Sequence, residues 1–94
     1  MKKYELMYIL KANLDEAALM SEKEALSRIL TDNGAQITKV TEWGLKDFAY
    51  EIKKERKGYY VILNFETETN NAVNEFRRIV ALDNNVIRFL IINS

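Results

Sequence analysis

The chain has 94 residues, 48% of them apolar and 30% charged, with fourteen basic and fourteen acidic residues and no net charge. This is enough chain for one domain around a single two-layer core, too apolar for disorder, and without an apolar run near the roughly 18 residues of a membrane span. Cysteine and histidine are both absent, which excludes disulfides and removes the commonest general base, the best thiol nucleophile and the soft metal ligands.

Lys3 to Leu10 alternates, with Tyr4, Leu6, Tyr8 and Leu10 on one face and Lys3, Glu5, Met7 and Ile9 on the other. A period of two predicts a strand. Asn13 or Asp15 can cap a helix running from about Asp15 to Asp32, with Leu19, Glu22, Leu26, Ile29 and Leu30 near helical spacing. Asn33-Gly34 ends it, because the closing residue often takes a positive φ that glycine adopts freely. Ile37 to Val40 opens a second strand, which Gly44 interrupts as a bulge and which resumes as Leu45 to Ile52. A charged loop, Lys53 to Lys57, leads into a third strand over Tyr59 to Glu66. Asn70 or Asn71 caps a second helix with Val73, Phe76, Ile79 and Val80 on its apolar stripe, and Val86 to Ile92 forms the last strand. The order β-α-β-β-α-β with right-handed crossovers predicts an α+β, ferredoxin-like sandwich over residues 1–94. Its four-stranded antiparallel sheet carries both helices on one face, with the second and fourth strands at the edges.

One face of such a sheet is open. With Leu6, Tyr8 and Leu10 inward, and with Ile52 opposite Tyr59, Phe48, Tyr50, Val61, Leu63 and Phe65 join the core. Met7, Ile9, Tyr60, Ile62, Arg88, Leu90 and Ile92 are then left on the open face. That set is too apolar for a solvated surface and predicts a partner site. A one-residue change of register would exchange the two sets. Charges along the second strand, among them Glu42, Lys46, Asp47, Glu51 and Lys53, discourage unwanted pairing at an edge; Glu42 and Lys46 are also candidates to meet a partner. Among the basic residues, Lys2 and Lys3 at the start of the first strand and Arg88 on the open face are the candidates for RNA phosphates. The groups Lys53-Lys54 and Arg56-Lys57 read as a solvated loop.

Lys57-Gly58-Tyr59-Tyr60-Val61-Ile62 starts like the third-strand motif of an RNA-recognition module, but Val61 and Asn64 stand where aromatics are needed, so base stacking is not expected. Catalysis is not expected either. The carboxylates Asp15, Glu16, Glu22 and Glu24 sit where an exposed helix would hold them, and no phosphate loop or metal-ligand cluster appears.

The segment Gly44-Leu45-x-x-Phe48-Ala49-Tyr50-x-Ile52 followed by Gly58-Tyr59-Tyr60, with Lys3-Tyr4-Glu5 and Asn13-Leu14-Asp15, resembles the bacterial small ribosomal subunit (30S) protein six family over essentially the whole chain. The resemblance implies a cytoplasmic structural component of the 30S subunit, with no cofactor. It also implies binding to the central domain of 16S rRNA as a heterodimer with small-subunit protein eighteen, whose basic charge would make up for the neutrality of this chain. Departures from the family pattern fall at Asp47, where a second basic residue is usual, and at Glu51, where proline is usual. Many relatives also extend past the last strand, where this chain stops at Ser94. A competing reading is a regulatory domain of the same fold that self-associates through its open face and binds a small ligand.

Overall fold

The structure, a computed structural model, describes residues 1–94. Six elements follow one another: β1 (Lys2–Lys11), α1 (Glu16–Asp32), β2 (Gln36–Ile52), β3 (Glu55–Thr67), α2 (Asn71–Val80) and β4 (Val86–Asn93). The strands form one antiparallel sheet in the order β2-β3-β1-β4, the ferredoxin-like arrangement the sequence predicts. Neither helix is long and apolar enough to cross a membrane.

Local chemistry explains where the elements begin and end. The Asp15 carboxylate accepts the Ala18 backbone N–H at 2.7 Å and caps α1, satisfying one of the donors that a first turn leaves free. At the other end Asn33 donates its side-chain amide to the Ile29 carbonyl, and Gly34 turns the chain at φ +89°. The Ala35 N–H then closes back onto Leu30 O. α2 starts differently. Its cap residue, Asn70, makes no side-chain bond to the helix; its Oδ1 instead accepts from Lys2 Nζ at 3.0 Å and Tyr4 OH at 3.4 Å, tying α2 to β1.

The core lies between the sheet and the helices. Leu6, Tyr8 and Leu10 from β1 and Val61, Leu63 and Phe65 from β3 are buried against Leu26 and Leu30 of α1 and Ala72, Val73, Phe76 and Val80 of α2. At roughly 1.5–3 kcal/mol for each large apolar side chain removed from water, this cluster is the main favourable term in folding. Ile79, expected on the buried stripe of α2, is 37% exposed. Ala72 takes its place on the buried face.

The hairpin departs from expectation at its tip. Ile52 pairs with Glu55, not Tyr59, and the connection is the two residues Lys53 and Lys54, both at positive φ. β3 therefore begins at Glu55 and includes Arg56 and Lys57, residues the sequence places in a loop, while Phe48 to Glu51 of β2 bulge opposite Arg56 before pairing resumes at Asp47 and Lys57. The expected inward set changes with it. Phe48 packs edge-on against Tyr60 of the open face, and Tyr50 is 78% exposed. Gly44, at φ +80°, does mark a register shift opposite Tyr60, and two further shifts lie between Ile37 and Lys39 and between Asp47 and Ile52.

Candidate rRNA and protein-partner surface

Strand register arranges the open face in rows. Met7 of β1 stands between Ile62 of β3 and Leu90 of β4, and Ile9 stands between Tyr60 and Arg88. Toward the start of β1, Glu5 lies between Asn64 and Ile92, and Lys3 is opposite Glu66. Leu90 and Ile92 are 55% and 46% exposed, while Met7, Tyr60 and Ile62 are half-buried. Together they make an apolar band across three strands.

Ile9 belongs to this face by register but is only 3% accessible. The reason is Gly58. A Cβ at that position would overlap Ile9 Cγ2 and come within 2.9 Å of Phe48 Cζ, so a bare α-carbon lets both side chains close over the end of β1. Ile9 therefore supports the surface from below and offers little of it. Glu42 is also set apart. It projects on the helix side, where it accepts from Lys23 of α1 and from Tyr59 OH at 3.0 Å. The hydrogen bond from Lys23, then that from Tyr59, hold the Glu42 carboxyl below its ordinary range, and the same carboxylate raises the Lys23 ammonium. Lys46 is on the open side, its ammonium 5.6 Å from the centre of the Trp43 ring.

Trp43 is the residue that sequence reading missed. It is 51% exposed and stacks on Tyr60 with ring centroids 6.3 Å apart and 27° between planes. Its signal was the bulge before Gly44, which turns a residue of the edge strand onto the open face. Lys46, Trp43, Tyr60, Ile9 and Arg88 thus form a continuous line from one sheet edge to the other.

The three RNA candidates do not share one site. Arg88 is opposite Ile9, whereas Lys2 and Lys3 are at the other end of β1, about 20 Å away at roughly 3.4 Å per residue. Lys2 donates to Asn70, Lys3 lies 3.9 Å from Glu66, and Arg88 has no acidic partner. Five of the fourteen basic residues are engaged in ion pairs, which leaves nine free on a chain whose formal charge is zero. No cluster of acidic side chains could hold a metal ion.

A family model described as Ribosomal protein S6 matches residues 3–93. The chain belongs to the ribosomal protein S6 family. It is 47% identical over 91 residues to the small ribosomal subunit protein bS6 of Shouchella clausii and 48% identical to that of Halalkalibacterium halodurans, covering 97% of this chain and 95% of each relative. The crystal structure of 30S ribosomal protein S6 from Thermotoga maritima superposes with a TM-score of 0.94 at 28% identity, over 99% of this chain and 87% of that one. As an S6-family member the chain is a structural protein of the small ribosomal subunit, not an enzyme, and associates with rRNA and other ribosomal proteins.

Proposed function

We propose that this S6-family chain binds the central domain of 16S rRNA in the bacterial cytoplasm as a heterodimer with small-subunit protein eighteen, using its open sheet face for the protein and its free cations for the RNA. The observation that carries this reading is the apolar band of Met7, Ile62, Leu90 and Ile92 on a chain with no net charge. A face of that kind gains by being covered, and Trp43 and Tyr60 at its margin are residue types that dominate binding energy at protein interfaces. RNA affinity held by phosphates scales with the number of cations, so a neutral chain with scattered lysines and arginines binds weakly alone and better beside a basic partner.

The test measures affinity for a central-domain RNA fragment with and without the partner, across a salt series. Affinity is expected to be weak and salt-sensitive for the chain alone and to rise steeply once the partner is present. An affinity indifferent to the partner would overturn the reading. Trp43, the one tryptophan, offers a second readout because its half-exposed indole sits on the proposed face. Its emission should shift to the blue when the partner covers it, whereas self-association without any effect of the partner would favour the regulatory-domain reading.

A further inference from the structure

The residues that close the β2–β3 hairpin, Lys53 and Lys54, have φ values of 50° and 66°. Two left-handed residues in a two-residue hairpin loop are the signature of a type I′ turn, for which Asn-Gly, Asp-Gly and Gly-Gly are preferred. A side chain with a Cβ is strained at positive φ, and lysine lacks the short polar group that helps asparagine there. Turn chemistry alone therefore disfavours lysine at both positions. Strain of this sort is retained where the residue serves another end.

The position of Lys53 indicates what that end is. The pairing of β1 with β3 finishes at Lys11 and Gly58, so the hairpin overhangs the sheet, and its tip reaches across to the start of β4. There Lys53 lines a cleft of about 340 Å³ whose opposite wall includes Asn84, Val86, Arg88 and Phe89. Lys53 comes from the middle of the chain and Arg88 from its last strand, and neither takes part in any ion pair. Asp83 also borders the cleft and brings one negative charge to it, its Oδ1 accepting the Asn85 N–H at 2.9 Å. Two cations against one carboxylate leave the partly apolar cleft net positive, and an anion there would be less screened than on an open surface.

We propose that this cleft receives a phosphodiester group of the RNA backbone, held between the Lys53 ammonium of the hairpin tip and the Arg88 guanidinium of β4. The guanidinium supplies a planar fork of donors and the lysine a mobile point charge, the complementary pair used for phosphate oxygens. The proposal rests on the rRNA reading above and adds to it a specific pair of residues, one of them in a loop otherwise accounted for by solvation alone.

Separating the turn from the charge tests it. Lys54→Gly relieves the turn without touching the cleft; it should raise the melting temperature and cost RNA affinity no more than the small, salt-screened loss of one exposed charge, well below the effect at Lys53. Lys53→Asn also suits the turn but empties one side of the cleft. It should weaken binding to a 16S central-domain fragment, measured with small-subunit protein eighteen present, roughly threefold to tenfold and make the salt dependence shallower by about one contact. Arg88→Gln should do the same. Combined with Lys53→Asn it should lose less than the product of the two single losses, because both serve one phosphate. Wild-type affinity in Lys53→Asn beside a weakened Arg88→Gln would overturn the cleft and leave the rRNA reading standing. A wild-type protein with no salt-sensitive affinity for the fragment would remove both.

Discussion

At the scale of single residues, the two sharpest constraints are a missing side chain and a half-buried carboxyl. Gly58 has no need of a positive φ; what matters is the space its absent Cβ leaves for Ile9 and Phe48. Gly58→Ala forces both neighbours, or the β3 backbone, to move, and overpacking of this kind costs about 1–3 kcal/mol. Chemical denaturation should show that loss, together with greater exposure of Phe48. Glu22 presents the other case. One of its carboxylate oxygens is buried without a hydrogen-bond partner, and the side chain faces Asp83 and Asn85 from the turn before β4 and Tyr8 from the sheet. Burial first, then Asp83, raises the Glu22 carboxyl from 4.5 to about 7. A carboxyl whose folded pKa is raised holds its proton more tightly in the folded state, so it opposes folding increasingly as pH climbs from about 4.5 to about 7. Glu22→Gln should therefore raise the melting temperature at pH 7.5, change it little at pH 4, and flatten the profile between. An equal gain at both pH values would show that ionisation is not the cause.

At the scale of elements, capping and turn chemistry decide which boundaries were legible. Asp15 ahead of a periodic apolar run, and Asn33-Gly34 after it, set the ends of α1 through bonds that depend only on neighbouring residues. Asp15→Ala should accordingly cost about 1 kcal/mol in thermal or denaturant unfolding, as loss of an N-cap does. Gly44 was legible for the same reason, as a position where the strand must bend. The hairpin register was not. Five charged residues in a row read as a loop, which the left-handed lysines shorten to two residues, and the register shift between Asp47 and Ile52 leaves Phe48 against Tyr60 on the open face. A separate shift, between Glu42 and Gly44, hid Trp43, since a bulge reassigns the face of the residue beside it. The candidate face was therefore legible where β1, β3 and β4 alternate regularly, at Met7, Tyr60, Ile62 and Leu90. It was obscured along β2, where the ladder is broken.

At the scale of the whole molecule, one side of the sheet is covered by helices and the other is open, and under the proposed function substitutions on them should separate stability from assembly. The helix-covered side contains Phe76, fully buried and packed edge-on to Phe89 with centroids 5.4 Å apart. Phe76→Ala should cost about 3–5 kcal/mol, a large share of a small domain's stability, and reduce every activity together by unfolding the protein. The open side contains Leu90, half in water already, so Leu90→Lys should change folding stability by no more than about 0.5 kcal/mol. Its consequence lies in assembly. A lysine beside Met7 and opposite a basic partner would bury or crowd a like charge within the apolar band, and the partner should no longer enhance RNA binding, while the weak affinity of the chain alone should persist or rise slightly from the added cation. Calorimetry for stability and RNA titrations with and without the partner distinguish the two effects in one variant. If Leu90→Lys folds normally and the partner's enhancement survives intact, the apolar band is not the surface that meets the partner, and the exposed line of Lys46, Trp43 and Tyr60 along the β2 side becomes the place to look.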